Sequence, residues 1–232
     1  MKWAYDFHIH TAASPCGDEL MTPHNIVCMS VLKGLDVIAI TDHQTVANCE
    51  VVMKVGKAHG LRVIPGMEIE CSEEFHMIAL FPNLDLAYQM EKWLWKYLPS
   101  ITNQPSIFGT QWRLDEAGEC IGEISQLLLV AANISAAEIL EQGRRLGAWI
   151  YPAHIDRNSY SILSNLGSIP KEYQLSVLEI SKSVSLDQYQ TMYKNYQIIQ
   201  SSDAHYLQDI SERENYIDSD TLVLHGLIEC NP

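Results

Sequence analysis

Positive charge is scarce in this chain of 232 residues. Fifteen lysines and arginines stand against 29 aspartates and glutamates, so the formal net charge at pH 7 is −14. Such a surface repels nucleic-acid backbones and anionic membranes at long range. We therefore expect no partner among long duplex nucleic acids or membranes. Any phosphate substrate should be attracted locally, by bound cations or by a few arginines.

Several other signals are missing. The six cysteines form no Cys-x-x-Cys pair and no dense disulfide pattern, the first residues are not a signal peptide, and no apolar run is long enough to span a bilayer. The chain also contains no Gly-x-Ser-x-Gly elbow, Walker-type phosphate loop or dinucleotide glycine fingerprint. These absences predict a reduced, cytoplasmic protein. They argue against a serine hydrolase, a nucleotide-driven enzyme and a dehydrogenase.

The apolar pattern predicts an α/β fold. Hydrophobic residues make up 47% of the chain, enough for the core of a single domain over residues 1–232. Apolar strands such as Val37–Ile40 alternate with helical segments, which indicates a mainly parallel sheet, and about seven such units favour a barrel. Residues 99–133 interrupt this rhythm. We interpret them as an insertion that contains a small hairpin around residues 115–118 and could act as a lid.

Potential metal ligands recur at the strand ends. If residues 5–11 form a strand, His8 and His10 share one face and can bind a divalent metal together. A lone His-x-His motif is a weak signal, but later strands also end in histidine or acidic residues, and His76 begins one. In a β/α barrel the C-terminal ends of the strands converge on one rim. Side chains far apart in sequence would therefore meet there.

Five of these segments form an ordered set. They are His8-Ile9-His10-Thr11, Ile40-Thr41-Asp42-His43, Ile64-Pro65-Gly66-Met67-Glu68, Pro152-Ala153-His154 and Ser202-Asp203-Ala204-His205. The set resembles, in order, the motifs of the PHP (polymerase and histidinol phosphatase) family over about residues 4–206. The resemblance implies a distorted (β/α)7 barrel that holds three divalent metal ions and hydrolyses phosphoesters.

The resemblance also implies a set of metal ligands. The first ion would be bound by His8, His10, Glu68 and Asp203, the second by Glu68, His76 and His154, and the third by Asp18, His43 and His205. Glu19 is the alternative to Asp18, whose distance along the chain from the histidine pair is one residue longer than in the family pattern. Glu70 is the alternative to Glu68, although the Pro-Gly-x-Glu match favours Glu68. Such imidazole and carboxylate ligands suit zinc, manganese and iron alike.

The implied chemistry is hydrolysis by a hydroxide between two metal ions, held by Glu68, His76 and His154, that attacks phosphorus. Arg157, on the same rim, is our candidate phosphate clamp, although it could be an ordinary surface arginine; Lys182 is a second candidate.

The expected substrate is a small-molecule phosphate ester, namely a nucleotide or a short oligonucleotide. One alternative is a histidinol-phosphatase-like enzyme acting on a sugar or amino-alcohol phosphate. The others are a metal-dependent hydrolase of C–N or ester bonds and a catalytically idle metal-binding module.

Overall fold

The computed structural model describes residues 1–228, in which strands and helices alternate. The strands are β1 (Lys2–Ile9), β2 (Val37–Ile40), β3 (Arg62–Glu70), β4 (His76–Leu80), β5 (Trp112–Leu114), β6 (Cys120–Glu123), β7 (Trp149–Pro152), β8 (Val177–Ser181), β9 (Gln197–Ser201) and β10 (Tyr216–Asp218). The helices are α1 (Pro23–Leu32), α2 (Cys49–Ala58), α3 (Leu84–Leu94), α4 (Pro105–Phe108), α5 (Ala136–Arg145), α6 (Ile162–Leu166), α7 (Leu186–Met192) and α8 (Ser219–Leu224). Within this part of the chain, no helix combines the length and the apolar character needed to cross a bilayer.

Local sequence signals place the helix starts. Thr22 caps α1 and Pro23 occupies its first turn, where a missing N–H costs nothing. Helix α5 begins with a capping box in which Ser135 and Glu138 satisfy each other's backbone N–H groups. These two predicted helix starts are confirmed.

The main sheet is curled and mixed. Its strand order is β10-β1-β2-β3-β4-β7, and β8 and β9 form a separate parallel pair. The pair is joined to β1 by backbone hydrogen bonds, since Ala204 N–H donates to the His8 carbonyl at 3.1 Å and His10 N–H donates to the Ala204 carbonyl at 3.0 Å. On the other side, Ile155 N–H donates to the Glu179 carbonyl at 2.8 Å. The predicted α/β fold is confirmed as a mixed fold with a curled sheet.

Strand β4 breaks the predicted β/α repeat. It runs antiparallel to both of its neighbours, β3 and β7, whereas β1, β2 and β3 are mutually parallel. Glu70 at the end of β3 lies opposite His76 at the start of β4. The reversal therefore brings the beginning of β4 to the rim where the parallel strands end, which explains why His76 precedes its strand.

A register shift in β1 directs the first two histidines toward this rim. Tyr5 and Phe7 pack in the cluster that fills the inside of the curled sheet, whereas Ile9 packs with the helices outside. The pairing of β1 with β2 shifts between Asp6 and Ile9. A bulge of this kind changes which face a side chain occupies. It lets His8 and His10 follow Phe7 on the inner face.

The insertion at residues 99–133 contains the predicted hairpin, formed by the antiparallel strands β5 and β6. It packs against the loop that follows β1, because Trp112 N–H donates to the Ala12 carbonyl at 2.8 Å. Gly109 lies so close to this loop that a Cβ atom there would overlap the Pro15 carbonyl oxygen. The insertion thus forms one flank of the rim.

Candidate metal centre

His8 and His10 meet two carboxylates from distant strands. The Nε2 atoms of the two imidazoles are 3.2 Å apart, and both side chains are fully buried. Asp203 Oδ1 lies 3.2 Å from His8 Nε2 and 3.1 Å from His10 Nε2. Glu68 approaches each of these nitrogens to 3.3 Å. The structure thus brings together the four side chains that the resemblance implies for the first ion.

Glu68 occupies the middle of the cluster. Its Oε1 lies 2.7 Å from His76 Nδ1 and 3.1 Å from His154 Nε2. Its Oε2 lies 3.0 Å from His43 Nδ1. With His8 and His10, five imidazoles surround this one carboxylate. Glu70, the alternative, only reaches His76 Nε2 at 4.0 Å.

His205 completes a third group of ligand atoms. Its ring stacks on that of His10 with the centroids 4.2 Å apart, and the ring of His43 lies 4.7 Å from that of His10. Among residues 1–228, three sets of side chains place their ligand atoms within 4.8 Å of one another: His8, His10, Glu68 and Asp203; His43, Glu68 and His76; and His10, His43 and His205.

The charges in the cluster are strongly coupled. Burial alone would lower the pKa of His10, but hydrogen bonds and charge from Asp203 and Glu68 outweigh burial and raise the pKa to about 9. The pKa of His8 is also raised, because the charges of Glu179, Asp203 and Glu68 overcome its burial. In contrast, burial and the positive charge of His10 lower the pKa of His205 to about 4.

The arrangement fits divalent cations better than it fits hydrogen bonding alone. Glu68 Oε2 and His154 Nδ1 are buried without a hydrogen-bond partner, and an unpaired buried polar atom is costly. The Nε2 atoms of His8 and His10 are 3.2 Å apart, so at most one of them can carry a proton that points toward the other. Cations bound by these nitrogen and oxygen atoms would satisfy both features.

Asp18 is not part of this arrangement. It belongs to none of the three sets found in the described residues. Its Oδ1 instead accepts a hydrogen bond from Leu20 N–H at 2.9 Å. Glu19, the alternative, is exposed. A third-ion ligand at either residue remains a prediction.

The two candidate phosphate-binding cations occupy different surroundings. Arg157 lies at the rim with 43% of its side chain exposed, and its Nη1 is 2.6 Å from Asp203 Oδ2. Lys182 pairs with Asp209, at 3.3 Å from Oδ1 and 2.8 Å from the backbone carbonyl. Both side chains therefore pair with an acid, but only the partner of Arg157 is one of the candidate metal ligands.

Glu179 supports the cluster from behind, and the sequence analysis missed it. Its Oε1 accepts a hydrogen bond from His8 Nδ1 at 2.8 Å and another from His154 N–H at 3.2 Å. A carboxylate that holds the far nitrogen of a ligating imidazole orients the ring and makes it more basic. The available signal was an acid in the otherwise apolar buried strand Val177–Ser181.

Asp42 has a similar role behind His10. It accepts hydrogen bonds from Thr11 N–H and from Ser14 Oγ, both at 2.7 Å. Ser14 Oγ in turn lies 2.9 Å from His10 Nδ1. Asp42 is next to His43 in the sequence, but through Ser14 it positions the imidazole of His10.

Two of the predicted ligands have strained backbones. His154 has φ of 29° and Asp203 has φ of 52°, in the left-handed region that side chains rarely occupy. Strain of this kind persists where surrounding structure enforces it, and it is concentrated at functional sites.

Comparison with known proteins identifies a PHP domain at residues 6–229. The 5′-3′ exoribonuclease Rnm of Salmonella typhimurium is 38% identical over 91 residues, which are 36% of this chain and 29% of the relative. The chain spans 29–52% of the length of the curated relatives it matches.

Solved structures share the fold. Endonuclease Q of Pyrococcus furiosus has a TM-score of 0.65 at 21% identity, over 89% of this chain and 49% of that enzyme. A complex of endonuclease Q with a 27-mer duplex substrate gives 0.66 at 21% identity, over 89% of this chain and 50% of the other. A Bifidobacterium adolescentis protein assigned as a metal-dependent phosphoesterase gives 0.66 at 19% identity, over 97% of both chains.

The expected partner, a small-molecule phosphate ester or nucleotide with long duplex nucleic acid excluded, is wrong. Curated relatives are exoribonucleases, and endonuclease Q has a duplex substrate at its active site. The charge argument failed because it averaged over the whole surface. Screening limits the reach of an exposed charge to about 8 Å at physiological salt, so the net charge alone does not exclude a polyanion from the site.

Proposed function

Because this chain belongs to the PHP domain family, we propose that it is a metal-dependent nuclease that removes nucleotides from the 5′ end of single-stranded RNA. Membership of the family also confirms the predicted metal-dependent hydrolase. The choice of RNA rests on the exoribonucleases among the relatives. The alignment with them covers only part of their length, so substrate and direction are part of the proposal.

The observation that carries this proposal is the central carboxylate of Glu68, surrounded by five imidazoles at the end of an acidic molecule's curled sheet. Divalent ions bound there would supply an activated water and neutralise the charge that develops on a phosphate. We propose three such ions. His8, His10, Glu68 and Asp203 would bind the first, Glu68, His76 and His154 the second, and His43 and His205, with one further ligand, the third. Zinc, manganese and iron all suit these ligands.

The chain's own residues have three tasks in this reaction. Glu68 and Asp203 supply the negative charge that holds cations close together, and both have a pKa well below its usual value despite burial, because histidine charges surround them. Glu179 keeps the His8 ring oriented. Arg157 holds the substrate phosphate, since a guanidinium has five N–H donors and can retain Asp203 while it binds another oxyanion.

An aromatic side chain at the rim suits a nucleic-acid substrate. The ring of Tyr160 stacks on that of His76 with the centroids 5.0 Å apart, and 51% of the residue is exposed. Stacking of a base on an aromatic ring is worth about 1–3 kcal/mol. We propose that Tyr160 receives the base next to the bond being cleaved.

The insertion at residues 99–133 forms a wall of the approach to the site. A cleft of about 320 Å³ is lined by Gly109, Thr110 and Trp112 of the insertion and by Cys16 and Tyr206 opposite. We propose that the 5′ end of the strand enters here, because Cys16, which lines the cleft, lies 3.1 Å from His205 Nε2. This supports the insertion as a lid over a chain end.

The test compares linear and circular forms of one short single-stranded RNA in the presence of manganese or zinc. We expect nucleotides to be released from the linear form in order from its 5′ end and the circular form to survive. Asp203→Asn and His8→Ala should reduce the rate at least about 100-fold, since each removes charge or a ligand at the reacting phosphate. His24→Ala, an exposed histidine of α1, is the matched control and should retain full activity.

Two outcomes would contradict the proposal. One is release of inorganic phosphate from monoesters with no cleavage of RNA. The other is retention of both metal and activity in His8→Ala and Asp203→Asn.

A further inference from the structure

Cys16 lies next to the third group of ligand atoms. Its Sγ is 3.1 Å from His205 Nε2, and His205 groups with His10 and His43. Zinc–sulfur and zinc–nitrogen bonds of about 2.3 and 2.0–2.1 Å at a tetrahedral angle separate the two ligand atoms by about 3.5 Å. The observed distance is within a few tenths of an ångström of that value, so one cation could bind both side chains with a small adjustment. Cys16 belongs to none of the three sets in the described part of the chain, so its sulfur would also have to move toward His10 and His43 to share their cation.

The loop that carries Cys16 is fixed to the cluster. Gly17 N–H donates to the Ser14 carbonyl and Asp18 N–H donates to the His205 carbonyl, both at 2.9 Å. A Cβ atom on Gly17 would lie 2.6 Å from the Thr11 carbonyl oxygen, so only glycine fits at this position of the turn. The backbone after Cys16 is therefore bound to His205, and the hydrogen bond from Gly17 to Ser14 closes the turn that contains Cys16.

A second observation indicates that a cation binds at the end of the cluster formed by His10, His43 and His205. Glu68 Oε2 is buried and has no hydrogen-bond partner. It lies 3.0 Å from His43 Nδ1 and 3.3 Å from His10 Nε2, two of the three imidazoles in the group. A cation among these groups would pair this oxygen.

We propose that Cys16 ligates this cation, in the place that the family resemblance assigns to Asp18. The proposal rests on the metal centre of the proposed function. On binding, the Cys16 thiol releases its proton to solvent and the sulfur donates an electron pair to the metal. Asp18 remains a capping residue for Leu20. A thiolate among imidazoles favours zinc over manganese or magnesium at this position.

The test uses cobalt(II) as the probe metal, because cobalt bound to a thiolate has a charge-transfer absorption in the near ultraviolet that nitrogen and oxygen ligands lack. The starting protein has the exposed Cys28 and Cys120 replaced by serine, and also Cys230, which lies outside the described residues, so that none of these thiols can bind cobalt. We expect the band in this protein, its loss in the added variant Cys16→Ser, and its retention in Asp18→Asn. No band in the starting protein, or an equal band after Cys16→Ser, would overturn the proposal.

Zinc content gives a second readout. Cys16→Ser should reduce the affinity for this zinc ion at least about 10- to 100-fold. That is the loss expected when a group that only supports a metal ligand is removed. Reaction with a thiol reagent should show one fewer reactive thiol after zinc is added to the starting protein. It should show no change in Cys16→Ser. Full reactivity of Cys16 in the zinc-loaded protein would contradict ligation.

Failure of this inference is distinguishable from failure of the nuclease proposal. Metal-dependent RNA cleavage without a sulfur–cobalt band would leave the nuclease and remove the thiolate ligand. The band without cleavage of RNA would leave the ligand and remove the nuclease.

Discussion

Glu179 shows how a single side chain can control the site without touching the substrate. It holds the Nδ1 side of His8 and the backbone of His154, two residues whose Nε2 atoms both approach Glu68 Oε1. We expect Glu179→Gln to weaken zinc binding about 10- to 100-fold, because the amide is a poorer acceptor for the imidazole N–H. Competition with a chelator measures this affinity.

Glu172→Gln is the matched control for that variant. Glu172 is exposed on the short turn just before β8, so zinc affinity should not change. Equal affinities in the two variants would show that Glu179 has no positioning role.

Proton release provides a second prediction at the residue scale. In the metal-free protein the pKa of His10 is raised to about 9, so this imidazole is protonated at neutral pH and must lose its proton when a metal binds. Zinc affinity should therefore rise with pH until about 9. Calorimetry in buffers of different ionisation enthalpy should detect proton release at neutral pH.

His43 should not release a proton when a metal binds. Its pKa lies well below the usual value because of burial, so it is already neutral and releases nothing. His10→Asn should reduce the number of protons released per ion, and His43→Asn should leave it unchanged. A proton count that is the same in both variants would show that the charges in the cluster are assigned wrongly.

The residues that were predictable from the sequence share one property. Each of them lies where an apolar run ends, and such a position can be recognised from the sequence alone. They are His8, His10, His43 and Glu68. Glu179 stands inside such a run, and its role depends on which imidazole lies behind it. Cys16 was overlooked because the turn around it could not be built from spacing alone.

At the scale of the elements, the reversal of β4 was predictable. Only the residues 71–75 separate β3 from β4. A parallel crossover needs a dozen or more residues, so a connection this short permits only an antiparallel pair. The bulge in β1 was not predictable, because the choice of inner or outer face at His8 depends on the pairing with β2.

The contact between the insertion and the loop after β1 is tested by Gly109→Ala. Gly109 has φ of 95° and its added methyl group would overlap the Pro15 carbonyl. We expect a loss of about 1–3 kcal/mol in the free energy of unfolding beyond the cost of the backbone strain alone. Denaturant unfolding of the metal-free protein measures it.

Gly60→Ala measures the cost of a positive φ without an overlap. The strain at Gly109 is larger, because its φ of 95° and ψ of 164° lie in a region almost restricted to glycine. Gly60 also has a positive φ, of 74°, but its added methyl group would meet no atom within 4 Å. This variant should lose only about 1–2 kcal/mol. Equal losses in the two variants would show that the insertion does not press on the loop.

At the scale of the whole molecule, the proposed polyanionic substrate has to bind a protein with a net charge of −14. We expect the metal-free protein to bind RNA very weakly and added zinc to restore binding. Since Arg157 and the ions contact only about two phosphates, the logarithm of the association constant should fall with the logarithm of salt with a slope of roughly −1 to −2.

Fluorescence anisotropy with a cleavage-resistant RNA measures this slope. Arg157→Ala should make the slope shallower by about 0.7, the value for one phosphate on a single strand. Strong binding after chelation of the metal, or a much steeper slope, would show that an extended basic surface binds the RNA.

Two candidate ligands of one ion are far apart in the sequence: His10 and Asp203 are separated by 193 positions and come together only in the folded chain. During translation, the paired imidazoles of β1 leave the ribosome long before Asp203 and His205 are made. A nascent chain surrounded by RNA therefore has no complete set of ligands. In the proposed nuclease, RNA would be cleaved only after Asp203 and His205 have been synthesised and the chain has folded.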